Sequence, residues 1–221
     1  MGAIRKIVGG VSSPLLSNIY MRRFVLGWKV LGYERKFQAH IVNYADDFVI
    51  CCLSRSKARE ALAAMQQMME RLKLTVNPAK THICSLSEGT LDFLGYTFGR
   101  WQGYQTGPFF GPRPSRRAIT EVSRVVHALT SDGQWWREVQ EVVHDLNQHL
   151  RGWANYFRLG YISRAYRAVD WHVQTRLRRW LCRKHKVGGP GTTRYPASYF
   201  YQTLGLLRLG ALRQQRLRAN A

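Results

Sequence analysis

Between residues 99 and 114 the chain sets Gly99, Gly103, Gly107 and Gly111 among Pro108, Pro112 and Pro114, the sharpest composition break in its 221 residues. Glycine weakens a helix interior and proline removes a backbone donor, so no helix is expected to run through this stretch. It reads as a linker, dividing the sequence into residues 1–98 and residues 115–221. The two sides differ in periodicity, and the fold class expected is α+β.

In the first part, Ser13 followed by Pro14 reads as a helix start, and Leu15, Leu16, Ile19, Tyr20 and Phe24 continue at helical spacing to about residue 31. Ile41 and Val42, then Phe48 to Leu53, read as two strands of a hairpin whose tip is Asp46-Asp47. Ala58, Ala61, Leu62, Met65, Met69 and Leu72 give an amphipathic helix over 55–72. Strands are expected at Leu74 to Val76, His82 to Leu86 and Leu91 to Phe98. The second part carries helical patterns through Ile119 to Leu129, Val139 to Trp153 and Ser163 to Lys186. A short helix near Ser198 to Leu207 and a basic tail follow.

Charge is unevenly placed. Up to Phe98 there are 13 basic and 7 acidic residues, a net +6, and beyond it 21 against 6, a net +15 of the total +21. Nineteen of those 21 are arginines, which grip phosphates bidentately and stack on bases. Such an excess points to a polyanionic partner, nucleic acid above all. Arg151, Arg158, Arg164, Arg167, Arg176, Arg178, Arg179, Arg183 and Lys184 are the candidate contacts. The interleaved Trp153, Tyr156, Phe157, Tyr161, Tyr166, Trp171 and Trp180 are either core or base-stacking residues. No lysine-faced amphipathic helix and no apolar run near 18 residues indicates a membrane, and MGAIRKIVGG lacks the apolar segment of a signal peptide, so a cytoplasmic protein is expected. Cys51, Cys52, Cys84 and Cys182 show neither CxxC nor zinc-ligand spacing and read as reduced thiols.

Asp46 and Asp47 are out of character in so basic a chain. Taken alone, an acidic pair is ordinary turn chemistry. Set between two apolar strands, adjacent carboxylates are better rationalised by a hard divalent cation such as Mg2+ or Mn2+.

The surrounding motifs decide between those readings. Tyr44-Ala45-Asp46-Asp47-Phe48 resembles the catalytic hairpin of reverse transcriptases. Gly9-Gly10-Val11-Ser12-Ser13-Pro14 ahead of it, then Asn77-Pro78-Ala79-Lys80-Thr81 and Phe93-Leu94-Gly95-Tyr96 behind, follow in the same order. Leu150-Arg151-Gly152-Trp153-Ala154-Asn155-Tyr156-Phe157, Asp170-Trp171 and Arg176-Leu177-Arg178-Arg179-Trp180-Leu181 resemble the maturase-specific thumb of group II intron reverse transcriptases. The resemblance implies a partial palm over 1–98 with an antiparallel sheet, a linker over 99–114, and an all-helical thumb over 115–221. It implies metal binding by Asp46 and Asp47 and a charge-stabilising or proton-donating Lys80. Gly9, Gly10, Tyr44 and Ala45 would lie beside nucleotide or primer, and Phe93, Leu94, Gly95 and Tyr96 would form the primer-gripping strand pair. The implied partners are group II intron RNA and a template with its primer.

Two departures qualify that expectation. Only eight residues precede Gly9 and none is acidic, so the family's further metal-binding aspartate and its fingers are missing ahead of it. Ile7-Val8 stand where the family usually has Pro-Gln. The start therefore reads as a truncation or a split point, with an upstream segment supplied in trans if the chain is to polymerise. The alternative is a non-catalytic RNA-binding maturase that assists intron splicing.

Overall fold

The computed structural model describes residues 13–103 and 107–219. Gly9 and Gly10 lie outside the described residues. The chain divides between Gly89 and Thr90 into two compact units.

The first unit holds helices α1 (Ser13–Val30), α2 (Tyr33–Lys36) and α3 (Arg55–Arg71) with strands β1 (Ala39–Tyr44) and β2 (Asp47–Cys52). On α1, Met21, Phe24 and Trp28 recur at helical spacing and are buried. They meet Ala61, Ala64, Met65, Met68 and Met69 of α3 in one core. Ser54 caps α3 by accepting from the Lys57 N–H at 3.2 Å. β1 and β2 are antiparallel, pairing Ile41 with Ile50 and Tyr44 with Asp47. Directly paired residues share a face, so Ala39, Ile41, Phe48, Ile50 and Cys52 turn toward the helices.

Leu74 to Val76 and His82 to Leu86, expected as strands, are irregular or turn segments that join no ladder among the described residues. A strand exists only through its pairing, and apolar alternation alone did not reveal that these segments lack one.

The second unit opens with β3 (Leu91–Phe93), β4 (Tyr96–Gly103) and β5 (Gly107–Pro114), in sheet order β3-β4-β5. The expected linker over 99–114 is thus the paired arms of a hairpin. Its four-residue glycine spacing is the symmetry of that hairpin, since Gly99 pairs with Gly111 and Gly103 with Gly107. Pro108, Pro112 and Pro114 all sit on β5, the edge strand, where a missing N–H costs least. At Gly99 a side chain would fall 2.8 Å from Thr90, and the Trp101 ring lies beside it. The indole donates to Gly111 O at 2.7 Å, while the Arg113 guanidinium stacks 3.4 Å above the ring.

From Arg116 onward this unit is helical, as expected of residues 115–221. The helical part comprises α4 (Arg116–Leu129), a 3-10 turn (Asp132–Gln134), α5 (Val139–Tyr156), α6 (Ser163–Lys184), a π turn (Tyr199–Thr203) and α7 (Leu209–Ala219). Val122, Val126, Val142, Leu146, Leu150, Val169, Val173 and Leu177 form its core. The expected basic tail is α7, which Asp170 starts by accepting from the Leu209 and Gly210 N–H groups at 3.0 and 3.3 Å.

Candidate active site and nucleic-acid interface

Tyr44 and Asp47 close a two-residue turn made of Ala45 and Asp46. Ala45 has φ +52°, a left-handed conformation that costs an L residue about 1 kcal/mol or more. Asn43 steadies the turn, its Nδ2 donating to Ala45 O at 2.9 Å and Asp47 O at 3.3 Å. Behind the turn, the Phe48 ring packs 5.1 Å from Phe24, fixing one face of the hairpin to α1. The other face bears Val42, Tyr44 and Asp47 in the open, with Tyr44 65% exposed. Sequence reasoning passed over Asn43, although an amide two residues before a turn is a legible local hydrogen-bonding signal.

Both carboxylates are exposed. Among the described residues no group of three His, Cys, Asp or Glu side chains gathers to hold a metal. A magnesium ion takes six oxygens and keeps several waters, so the pair fits part of a cation site and does not complete one. Lys80 is exposed on a turn that Asn77 forms by accepting from Ala79 N through Oδ1 at 3.0 Å, and has no ion pair among the described residues.

Phe93, Leu94, Gly95 and Tyr96 belong to the second unit. Leu94 and Gly95, at φ +50° and +74°, make the two-residue turn between β3 and β4. The end of α5 locks this turn: Tyr156 OH donates to Leu94 O at 3.0 Å, and Tyr96 OH donates to Tyr156 O at 2.6 Å. Phe157 lies 5.0 Å from Tyr96 and fills the space that a side chain at Gly95 would need. Two motifs some 55 residues apart in sequence are therefore one packed structure. Burial pushes the Tyr96 hydroxyl above its ordinary range.

The nine candidate RNA contacts separate by how their side chains are engaged. Arg151, Arg158, Arg164, Arg167 and Arg179 are exposed, and among the described residues their side chains make no hydrogen bond or ion pair. Arg178 donates to Tyr195 O at 3.0 Å and lies 5.2 Å from the Phe200 ring. Arg183 pairs with Asp132, and Lys184 donates to the carbonyls of Trp135 and Arg137. Arg176 closes the end of α4, donating to Thr130 Oγ1 at 3.2 Å and Thr130 O at 3.0 Å.

That engagement gives Arg176 a different expected phenotype from its neighbours. Arg176→Ala should cost about 1–2 kcal/mol of stability, measured by urea unfolding, because the buried Thr130 loses its donor. Arg151→Ala should leave stability within about 0.5 kcal/mol.

Of the aromatic residues interleaved with the arginines, Phe157, Tyr166 and Trp180 are core, and Tyr166 donates to Ala154 O and Phe157 O. Tyr156 and Trp171 are exposed. No described helix is long and apolar enough to cross a membrane.

Residues 7–98 match the family Reverse transcriptase (RNA-dependent DNA polymerase). Residues 119–197 match the Group II intron, maturase-specific domain. No curated protein matches the chain.

Proposed function

Because the chain belongs to the group II intron reverse transcriptase and maturase family, we propose that it carries the Mg2+-binding hairpin and the intron-RNA-binding face of an RNA-directed DNA polymerase. Members of this family act on nucleic acid and, as polymerases, depend on divalent metal. The observation carrying the reading is the tip itself, where Asp46 stands on a tight turn fixed from behind by Asn43 and Phe48.

In this reading Asp46 and Asp47 hold Mg2+, with Mn2+ as a substitute, and the ion supplies positive charge against the attacking and leaving oxygens of nucleotidyl transfer. The small Ala45 leaves room for a primer terminus over the turn. Tyr44 offers an exposed ring beside it. Lys80 presents an ammonium group to leaving pyrophosphate. The Phe93–Tyr96 turn grips primer, and the free arginines Arg151, Arg158, Arg164, Arg167 and Arg179 take intron RNA phosphates. In polymerases of this family a fingers and early-palm segment contributes a further carboxylate, and adding such a segment tests whether this hairpin can work with one.

The test is primer extension on an RNA template with Mg2+, using the chain mixed with a separately expressed fingers and early-palm segment of a related enzyme. Extension should appear in the mixture and fall to background with Asp46→Asn, while RNA affinity stays unchanged. Silence of the mixture, with RNA binding retained, would overturn the polymerase reading in favour of a non-catalytic maturase.

A further inference from the structure

The loop between α4 and α5 exposes two adjacent indoles, Trp135 at 61% and Trp136 at 68%. Neither takes part in the chemistry proposed above. Large apolar rings left in water forgo the gain of burial, which marks them as surfaces for contact with a partner.

The loop is also held firmly. Arg137 pairs with Asp145 of α5 at 2.8 Å, and Lys184 of α6 donates to Trp135 O at 3.0 Å and Arg137 O at 2.8 Å. Arg183 pairs with Asp132. Trp136 Nε1 donates to Gly133 O at 3.0 Å, so the polar edge of that ring is satisfied within the loop while the ring stays exposed.

Those anchors tie the loop to the end of α6, which lines an open groove of about 630 Å³ with residues of the following loop. Arg178, Arg179, Arg183 and Lys186 line the groove with Thr175 and Thr192, and no acidic residue does. Arg179 and Lys186 are exposed and have no ion pair among the described residues. Gly191 brings its backbone against Cys182, where a side chain would fall 2.1 Å from Sγ, keeping the groove wall close to the helix.

We propose that this end of α6 is a binding site for unpaired, single-stranded RNA, with Trp135 and Trp136 stacking bases and the groove's Arg179 and Lys186 holding the flanking phosphates. Rigid aromatic faces beside a cationic groove are the two elements that single-strand recognition needs. A duplex keeps its bases stacked internally and gains nothing from the indoles. The proposal rests on the reading that the second unit binds RNA, and it names the form of RNA and the residues that select it.

The full chain, titrated with a labelled 12-nucleotide single-stranded RNA and with a blunt duplex of the same length, tests it. The variant Trp135→Ala/Trp136→Ala should bind the single strand at least tenfold more weakly, with duplex affinity and the salt slope unchanged. The Phe/Phe variant, which keeps stacking faces, should recover most of that loss. Arg179→Ala/Lys186→Ala should reduce the single-strand salt slope by about 1.4, from two phosphate contacts at about 0.7 each. Wild-type single-strand affinity in the Trp double variant, or in the Arg/Lys one, would overturn the site while leaving RNA binding by the unit intact. Failure of the unaltered chain to bind either RNA would overturn the reading beneath it as well.

Discussion

Asp170→Ala is expected to destabilise the second unit by about 2–4 kcal/mol, with α7 the first element lost. Asp170 lies within α6, 8% exposed, and its two oxygens accept from the Leu209 and Gly210 N–H groups at the start of α7. Those donors have no partner in their own helix, so the carboxylate acts as a cap supplied from another element. Removing it leaves buried donors unsatisfied beside Leu209, which is fully buried. Burial is the larger influence on the carboxyl and raises its pKa above the ordinary 3.8, with the two N–H groups and Arg208 opposing. A carboxyl whose folded pKa is raised contributes stability that is present below the unfolded pKa and lost as pH rises through the folded one. The gap between wild type and Asp170→Ala, from urea unfolding, should therefore be widest on the acid side and narrow as pH rises past 3.8 through the raised value. A gap that widened instead would mean the carboxylate is favoured in its ionised form.

The Asp170-Trp171 pair shows what the sequence could and could not convey. It was legible as part of a motif, but its physical role was not, because the capped helix begins 39 residues later and no local pattern links the two. Helices α3, α5 and α6 were legible because their apolar positions follow the helical period and bury one face each, whereas of the α1 positions Leu15, Leu16, Ile19, Tyr20 and Phe24 only Phe24 is buried and the other four are exposed. The first hairpin was legible because apolar runs bracket a polar break, but its turn is Ala45-Asp46, one residue earlier than the expected Asp46-Asp47 tip, and Asp47 begins β2. Residues 99–114 misled because glycine and proline signal breaks locally, whereas here the glycines face one another across a ladder and the prolines share an edge. Only the register, a non-local fact, distinguishes the two.

At the candidate site the residue types were legible and their company was not. The sequence placed Asp46 and Asp47 at a tip, and the structure adds why the tip is stiff: Asn43 bridges two carbonyls and Phe48 seats on Phe24. Among the arginines, composition gave the sign of the partner's charge but could not separate Arg176, which closes a helix end, from Arg179, which is free. Trp135 and Trp136 fell outside both helical stripes, so a search for periodic aromatics missed them. An aromatic pair following Ser131-Asp132-Gly133-Gln134, a polar loop, was the available signal.

Gly160→Ala should lower stability by about 3 kcal/mol or more. Gly160 connects α5 to α6 with φ +73°, where an L residue costs about 1–2 kcal/mol. A side chain there would lie 2.0 Å from Pro112 O and 2.8 Å from Pro112 Cγ. The obstructing atom is backbone of β5, and the same carbonyl accepts from the Tyr161 N–H at 2.9 Å. Relief therefore requires moving the strand or the loop, which breaks that hydrogen bond and pulls Tyr161 from Phe109, whose ring lies 5.5 Å away. The loop has no freedom to give, because its flanks are the Tyr156-Phe157 lock on the β3–β4 turn and the Tyr166 bonds to Ala154 and Phe157. Gly133→Ala is the matched control, since no atom lies within 4 Å of the added methyl, and it should change stability by less than about 0.5 kcal/mol. Equal urea midpoints for the two variants would mean that β5 does not press on this loop. A loss confined to Gly160→Ala would make the edge strand a structural part of the helical unit, and the glycine at this position a requirement of its packing.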